Sequence, residues 1–237
     1  MVEAFLQQGS TYAADIDFLI NMIGWLVGFW FVLAQGVFFY LIFANRAKAG
    51  VQAEYVTGEE EYPKKLISMA HWGVLACDVL ILFFAVQTWY QIKQDLPPAE
   101  QTVRVIGQQW AWTFEHPGPD GKLDTADDIR LVDELHLQEG VLYHYLLESR
   151  DVLHNFSVPV FRLKQDAIPG RTITGWFQPT ITGEYSVQCA EICGIGHGIM
   201  AARVFLETEE QHAAFNAQHS TRNLASAAVP ALAGAAN

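Results

Sequence analysis

The most constraining feature of this 237-residue sequence is an uncharged apolar run from Phe18 to Phe43, FLINMIGWLVGFWFVLAQGVFFYLIF. A helix of about 20 apolar residues already crosses the hydrocarbon core of a bilayer. The preceding residues include Glu3, Asp15 and Asp17 rather than a cluster of bases, and the run is too long for a cleaved signal peptide. A buried helix of a globular protein is the alternative, but we predict a membrane span over residues 18–43.

A second apolar run, from Leu66 to Tyr90, contains two ionisable side chains. It reads LISMAHWGVLACDVLILFFAVQTWY, and we predict a second membrane helix over residues 66–91. His71 and Asp78 lie seven residues apart and therefore near one another on one helix face. Ionisable groups within a membrane helix indicate a functional role. For this pair we favour hydrogen bonds to a neighbouring subunit over a proton relay.

The charges between the two runs predict how the chain crosses the membrane. The loop holds the bases Arg46, Lys48, Lys64 and Lys65. Such bases remain in the cytoplasm, whereas acidic residues have little influence on orientation. A two-helix hairpin over residues 18–92 then places both termini outside. The expected extracytoplasmic parts are residues 1–17 and everything after Lys93.

The outer part has the pattern of a β-protein. It begins with the Pro-marked break QDLPPAEQ and continues in short pieces, several of which alternate apolar with polar residues. These pieces are TVRVIGQQWAWTF, VLYHYLLES, RTITGWFQ, GEYSVQ and MAARVFLE. We predict a sandwich or barrel over residues 93–212. The Ala-rich residues 213–237 show little periodicity, and we expect a weakly ordered tail with no function assigned.

Net charge and cysteine content exclude two classes of protein. The formal net charge is −12, and nucleic-acid binding needs Lys and Arg, so we expect no nucleic-acid partner. An acidic surface favours a cationic partner. Three cysteines are too few for a disulfide scaffold, and Cys189 and Cys193 have the spacing of a metal or redox site.

A glycine-rich loop, QCAEICGIGHGIM, gathers soft metal ligands between Gln188 and Met200. Thiolate and thioether sulfur atoms select copper or zinc, and imidazole suits both metals. Two thiolates can bridge two metal ions, each completed by one imidazole, with a thioether on one ion and a backbone carbonyl on the other. The residues in this arrangement are Cys189, Cys193, His154 from RDVLHNFSVP, His197, Met200 and the carbonyl near Glu191. The alternatives are a structural zinc site, a disulfide between the two cysteines, and a methionine that belongs to the core.

The same residues resemble subunit II of the haem–copper cytochrome c oxidases. CAEICGIGHGIM and the upstream DVLHNFSVPVFRLKQDAIPGR match that family's pattern, C-x-E-x-C-x-x-x-H-x-x-M after VxHxFxVP, and the similarity covers nearly the whole chain. The resemblance implies a membrane-anchored cupredoxin fold that carries the dinuclear copper centre called CuA. It assigns the ligands as follows: Cys189 and Cys193 bridging both ions, His154 and Met200 on one copper, His197 and the Glu191 carbonyl on the other.

Further roles follow from the resemblance. Trp110, in GQQWAWTFE, matches the tryptophan through which family members pass electrons from cytochrome c, although Ala111 departs from the usual run of aromatics. The Glu191 side chain matches a ligand of a magnesium or manganese ion at the boundary with subunit I. The family uses an acid near the start of the second helix as a proton entrance, and the Glu59–Glu61 cluster suits that role.

The segment PDGKLDTADDI concentrates the acidic residues Asp120, Asp124, Asp127 and Asp128. An acidic rim would steer a basic cytochrome c and raise its association rate. A solvated hairpin loop and a calcium site are the alternatives, although the spacing does not match an EF-hand loop. Near the upstream histidine, Arg150 stands where relatives carry an acid, while Asp151 is retained.

The leading hypothesis is therefore the CuA-bearing subunit II of a terminal oxidase. It would accept electrons from a separate cytochrome c and pass them to haem in subunit I, which reduces O2 to water and pumps protons. The alternatives are the copper subunit of a nitric oxide reductase and a membrane-tethered copper carrier. The acidic insert and the tail favour a bacterial plasma membrane over a mitochondrial one, with the copper domain on its outer side.

Overall fold

The computed structural model describes residues 2–52 and 55–227, which form two compact units. The first unit contains Asp15–Gln91, and the second contains Glu3–Ala14 together with the residues from Ile92 onward. The chain therefore contributes to the second unit twice, once before its first long helix and once after its second.

Two long apolar helices dominate the first unit: α1 (Ala13–Ala44) and α2 (Glu61–Trp89), the latter continued by a π-helical turn over Tyr90–Gln94. Their 32 and 29 residues extend roughly 48 and 44 Å at about 1.5 Å per residue, which exceeds the roughly 30 Å hydrocarbon core. Both helices are long and apolar enough to cross a membrane. Both helices begin before the predicted spans of 18–43 and 66–91. The apolar pattern marks only the uncharged part of each helix, whereas the helical hydrogen bonds also include the polar residues before it.

The acidic residues before α2 form a tight turn. The Glu60 carboxylate accepts hydrogen bonds from the backbone N–H groups of Thr57 and Gly58, both at 2.9 Å. The bonds from Thr57 above all lower the pKa of Glu60 to about 2. This carboxylate is therefore ionised, and a role for the Glu59–Glu61 cluster as a proton entrance stays a prediction, as does any role of the exposed His71 and Asp78 on α2.

The strands of the second unit form two five-stranded sheets within the described residues. They are β1 (Gln101–Gln108), β2 (Ala111–His116), β3 (Ile129–Val132), β4 (Glu134–Gln138), β5 (Tyr143–Ser149), β6 (His154–Val158), β7 (Leu163–Ala167), β8 (Ile173–Phe177), β9 (Gly183–Cys189) and β10 (Ala201–Glu207). One sheet has the order β3-β2-β1-β5-β8, and the other has the order β4-β10-β9-β6-β7. This sandwich confirms the predicted fold class, a helix hairpin followed by a cupredoxin-like β-domain.

Aromatic side chains from both sheets fill the core of the sandwich. Trp112 and Phe114 on β2 are fully buried, as is Phe156 on β6. The Phe156 ring lies 5.5 Å from the Trp112 ring and 6.3 Å from the Phe114 ring, so the two sheets meet through these residues. Burying side chains of this size stabilises the fold by about 1.5–3 kcal/mol each.

The segment before α1 packs against the sandwich as an integral part of it. The backbone N–H of Gly9 donates to the carbonyl of Val160 at 2.9 Å, and the Gly9 carbonyl accepts from Thr180 N–H at 3.0 Å. Tyr12 is 1% exposed, and its ring meets the Trp176 ring edge-on at 5.2 Å. Residues 3–14 thus belong to the β-domain, whereas the sequence predicted only an extracytoplasmic segment over residues 1–17.

A third helix corrects the expectation of a weakly ordered tail from residue 213. α3 spans Glu209–Ala227, and the last ten residues lie outside the described ones. Thr208 and Gln211 cap its start reciprocally: Gln211 N–H donates to Thr208 Oγ1 at 3.3 Å, and Thr208 N–H donates to Gln211 Oε1 at 3.0 Å. Alanine is the strongest helix former, and the buried Phe215 anchors the helix, so an Ala-rich segment is ordered here.

The carboxylates of the acidic loop between β2 and β3 make contacts within the chain, although none of them is buried. Asp124 forms a bidentate ion pair with Arg104, at 2.9 and 3.0 Å. Asp127 accepts a hydrogen bond from Thr125 Oγ1 at 2.6 Å, and Asp128 accepts one from Asp124 N–H at 2.8 Å. Asp120 accepts a hydrogen bond from the Lys122 N–H at 2.8 Å, so all four predicted rim carboxylates make contacts within the chain. Steering of a cytochrome by this loop stays a prediction.

Imidazoles gather where α3 packs on the sandwich, namely those of His116, His136, His212 and His219. The His136 ring stacks between the rings of Phe205, at 4.6 Å, and Phe215, at 4.0 Å. The Glu207 carboxylate lies 2.7 Å from Nδ1 of His136 and 2.9 Å from Nδ1 of His212. Stacking and hydrogen bonds at one point thus fix the helix to β4 and β10.

Burial and hydrogen bonding shift the pKa values of His116 and Glu207 in this cluster. Burial lowers the pKa of His116 from 6.5 to about 3, and the nearby imidazoles of His136 and His212 act in the same direction. Burial acts to raise the pKa of Glu207, but the hydrogen bonds from the same two histidines outweigh it and leave the pKa at about 2. His116 is therefore neutral in the folded domain and binds a proton on unfolding below pH 6.5.

We expect the β-domain to lose stability as the pH falls from 6.5 towards 4.5, because unfolded His116 binds a proton that folded His116 does not. The slope from this group approaches about 1.4 kcal/mol per pH unit. A His116→Leu variant should lose less stability in that window, measured by chemical unfolding of the full-length protein in detergent. His144→Gln, on β5, is the control and should keep the wild-type slope. Equal slopes in all three proteins would contradict this expectation.

Candidate metal centre

Strand pairing brings together residues that are 35 positions apart in the sequence, His154 and Cys189. His154 opens β6 and Cys189 closes β9, and these neighbouring strands pair with Phe156 opposite Cys189. The backbone N–H of Cys189 also donates to the carbonyl of Met200 at 3.1 Å. The loop from Glu191 to Met200 therefore starts and ends beside the same point of the sheet.

The side chains of this loop converge on one buried cluster. Sγ of Cys189 lies 3.7 Å from Sγ of Cys193 and 3.9 Å from Nδ1 of His154. Sγ of Cys193 lies 3.7 Å from Nδ1 of His197 and 3.7 Å from Sδ of Met200. Each thiol thus has one imidazole beside it, and a thioether adjoins the second thiol.

The backbone carbonyl of Glu191 also faces this cluster. It lies 3.2 Å from Sγ of Cys189, while the Glu191 side chain is exposed. All six predicted ligands are therefore brought together, with the carbonyl rather than the carboxylate turned to the sulfur atoms. Copper binding by these residues and magnesium or manganese binding by the carboxylate stay predictions.

Burial and free thiols suit a metal rather than a disulfide. His154, Cys193 and Met200 are at most 3% exposed, and both loop cysteines are free. Burial is the main cause that raises the pKa of Cys193 to about 11, and the neighbouring Cys189 thiol adds to it. The Cys193 thiol therefore keeps its proton near neutral pH until a metal ion displaces it.

A hydrogen-bonded shell surrounds the cluster, and the sequence did not predict it. Oδ1 of Asp151 lies 2.8 Å from Nε2 of His154, and Oδ2 accepts the backbone N–H of Gln109 at 2.7 Å. Burial acts to raise the pKa of Asp151, but these hydrogen bonds outweigh it and the pKa lies below its usual range. The sequence held one indication of this contact, namely that Asp151 lies three residues before the candidate ligand His154.

The two tryptophans of β1–β2 take different positions. Trp112 is fully buried, with its ring 6.0 Å from the His154 ring, as expected of a core residue. Trp110 is 37% exposed and packs against the loop, because Cβ atoms added at Gly194 or Gly196 would collide with its ring. Gly194 also has a φ of +125°, which side chains rarely adopt. Trp110 therefore lies between the cluster and solvent.

Two helices able to span a membrane, followed by a β-sandwich with a buried cluster of thiol and imidazole groups, place this chain among the membrane-anchored β-domain proteins. The family model described as Cytochrome C oxidase subunit II, periplasmic domain, matches residues 101–206. The Alternative cytochrome c oxidase subunit 2 of Bradyrhizobium diazoefficiens is 34% identical over 229 residues, covering 87% of this chain and 80% of that relative. The chain therefore belongs to the cytochrome c oxidase subunit II family, as the sequence resemblance predicted.

Other similar proteins cover smaller parts. Cytochrome c oxidase subunit 2 of Thermostichus vulcanus is 42% identical over 117 residues, covering 49% of this chain and 33% of that relative. The solved periplasmic domain of subunit II of cytochrome oxidase from Bradyrhizobium japonicum has 24% identity and a TM-score of 0.49, covering 54% of this chain and 99% of that one. A chain of a heme-copper terminal oxidase dimer has 19% identity and a TM-score of 0.40, covering 59% of this chain and 99% of that one.

The family binds copper, and the donor set of this chain fits that metal. Thiolates and a thioether are soft ligands, and the imidazole nitrogens that face them are the ring atoms that copper accepts. Two sulfur atoms and an imidazole nitrogen, from Cys189, Cys193 and His154, all lie within 4.8 Å of one another and are buried. A small metal ion can therefore contact these three side chains together.

Substitution of two loop glycines provides a matched test of the contact between loop and tryptophan. Gly196→Ala adds a methyl group where the Trp110 ring lies, so the loop or the ring must move. We expect copper affinity to fall several-fold and Trp110 fluorescence to change, since overpacking of this kind costs about 1–3 kcal/mol. Gly198→Ala is the control, because its added Cβ meets nothing within 4 Å. Equal copper affinities in the two variants would show that this contact is unimportant.

Proposed function

We propose that this chain is the electron-accepting subunit II of a haem–copper oxidase and that it holds a dinuclear copper centre, CuA. The contact that supports this most directly is the 3.7 Å approach of the two free thiols, with one imidazole beside each. In this proposal Cys189 and Cys193 bridge two ions. The remaining ligands are His154 and Met200 for one ion, and His197 and the Glu191 carbonyl for the other.

The chain's own residues prepare this site. The thiols and His154 are buried, so water is largely excluded. Asp151 and the strand pairing of β6 with β9 orient the imidazole. When bound, a copper pair bridged by two thiolates supplies a one-electron store whose charge is shared by two metals, which keeps structural change small. The weak thioether and the apolar surroundings would set its potential.

The surface of the copper loop supports docking of other proteins. Ile192, Ile195 and Ile199 are 80%, 96% and 80% exposed, and three exposed aliphatic side chains in one loop favour an interaction surface. Trp110 lies beside this loop with 37% of its surface exposed. In our proposal a separate cytochrome c gives its electron at Trp110, and subunit I receives it at haem, where O2 is reduced to water and protons are pumped.

We also propose a second metal site, for a magnesium or manganese ion, on the exposed side of the loop. The Glu191 carbonyl faces sulfur while its side chain is exposed, so one residue offers donors in two directions. We assign its carboxylate to a magnesium or manganese ion completed by subunit I.

The proposed orientation places the copper domain on the outer side of a bacterial plasma membrane. Residues 3–14, which end within the first turn of α1, belong to the β-domain, so the two ends of the hairpin are assigned to one side. The bases in the loop between α1 and α2 assign that loop to the cytoplasm.

Copper content and electron spin resonance of the copper-loaded, full-length protein test the dinuclear centre. We expect two copper ions per chain and a seven-line hyperfine pattern, because two equivalent nuclei share one electron. Cys193→Ser should abolish the pattern by removing one bridge. Cys77→Ser, on α2, removes a thiol outside the cluster and should leave it intact. One ion per chain with a four-line pattern would overturn the proposal and favour a copper carrier.

Replacement of Trp110 tests electron uptake separately. Trp110→Phe should leave the copper spectrum unchanged but slow reduction by cytochrome c on the order of tenfold, or about 1.4 kcal/mol in the barrier. Trp25→Phe, the same change on α1, is the control and should react at the wild-type rate. The measurement is stopped-flow reduction of the assembled oxidase. An unchanged rate in Trp110→Phe would exclude this residue from the electron path.

A further inference from the structure

The turn between β1 and β2 makes two hydrogen bonds with the copper cluster through one residue, Gln109. Its backbone N–H donates to Oδ2 of Asp151 at 2.7 Å, and its side-chain Nε2 donates to the backbone carbonyl of Cys193 at 2.6 Å. The two partners belong to different parts of the chain, 42 and 84 residues away. Gln109 thus joins the segment before β6 to the copper loop.

The Asp151 side of this connection acts on His154. Oδ1 of Asp151 lies 2.8 Å from Nε2 of His154. Because an ionised carboxylate can only accept hydrogen bonds, we assign the hydrogen to Nε2. The other ring nitrogen, Nδ1, is then free of hydrogen and faces Sγ of Cys189. Because His154 is fully buried, this acceptor fixes both the tautomer and the orientation of the ring.

The Cys193 side of the connection acts on the loop. A backbone carbonyl held at 2.6 Å limits how far the Cys193 main chain can shift, and the adjoining Gly194 approaches so closely that an added Cβ would lie 2.8 Å from Nε2 of Gln109. The next residue of the turn, Trp110, packs on Gly196. The turn of Gln109 and Trp110 therefore contacts Cys193 directly, contacts His154 through Asp151, and packs on the copper loop through the Trp110 ring.

From these contacts we infer that Gln109 is a positioning residue of the copper centre. Its backbone contacts Asp151, which orients His154, and its side chain holds the main chain of Cys193. The same turn keeps Trp110 packed against the copper loop. This role rests on the proposed function, since it concerns how copper ligands are held. It assigns Gln109 no contact with metal. Its effect passes through the carbonyl of Cys193 and the carboxylate of Asp151.

Two neighbouring glutamines provide a matched pair of variants. Gln109→Glu replaces the amide donor with a carboxylate that faces the Cys193 carbonyl and repels it. Gln108→Glu makes the same change one residue earlier, where the side-chain oxygen accepts a hydrogen bond from Arg150 at 3.0 Å and a carboxylate keeps that contact. The two variants therefore have equal net charge and differ in the contact with the copper loop.

We expect Gln109→Glu to weaken copper binding roughly 10- to 100-fold, the usual effect of losing a group that orients metal ligands. It should also alter the hyperfine pattern and the reduction potential. Gln108→Glu should bind copper within about twofold of the wild type. Affinity is measured on the full-length protein in detergent by competition with a chelator. Equal affinities and spectra in the two variants would overturn the inference.

A merely structural role would lower the stability of the copper-free protein without changing the spectrum of the molecules that bind copper. The melting temperature of the copper-free form is therefore measured alongside, and an altered melting temperature with a wild-type spectrum and potential would also overturn the inference. Gln109→Ala removes the side-chain amide donor without adding charge. If Gln109→Glu does not fold, the copper affinity and spectrum of Gln109→Ala test the inference in its place.

The coupling with Asp151 is tested by a double variant. Asp151→Asn leaves one acceptor oxygen but presents an NH2 group to the Gln109 N–H or to His154. If both residues act through one connection, Gln109→Ala combined with Asp151→Asn should lose less affinity than the product of the two single losses. If the loss of copper affinity in the double variant equals the product of the two single losses, Gln109 and Asp151 act independently and the coupling is rejected. Failure of the wild-type protein to show two coppers would instead reject the proposed function itself.

Discussion

The pairing of β9 with β6 and β10 is the interaction on which the copper cluster depends. Cys189 ends β9 opposite Phe156, and its N–H binds the Met200 carbonyl, so the loop closes on itself at the edge of the core. His154 enters from β6 at the same level. The candidate ligands His154 and Cys189 are therefore positioned by backbone hydrogen bonds of the sheet, and the Cys189–Met200 bond closes the loop that carries the others.

Close packing around the cluster follows from small residues placed opposite large rings. A Cβ at Gly107 would come within 3.0 Å of the His154 ring and 3.2 Å of the Trp112 ring, and Gly196 lies against Trp110 in the same way. Side chains at these positions would push the turn and the loop apart. The turn can consequently reach both Asp151 and Cys193 with a single residue, and the buried thiols are covered without a separate lid.

The sequence places the six candidate ligand residues correctly beside one another because they share one short loop and one upstream motif with fixed spacing, while their binding of copper stays a prediction. It also predicts two membrane helices, since an uninterrupted apolar run leaves few alternatives. Gln109 could not be predicted, because its role depends on distances between segments 42 and 84 residues apart. α3 was missed for a different reason: composition suggested a weakly ordered tail, while Thr208 and Gln211 already carried a capping-box pattern that marks a helix start.

The packing of residues 3–14 has a consequence for biogenesis. Gly9 and Tyr12 bind parts of the sandwich that are synthesised some 150 residues later, around Val160 and Trp176. In the proposed orientation both of these partners lie outside the membrane, so the segment before α1 can complete this core only when it is on the same side as the later strands. The contacts of Gly9 and Tyr12 therefore form late in synthesis, once the chain around Val160 and Trp176 has been made.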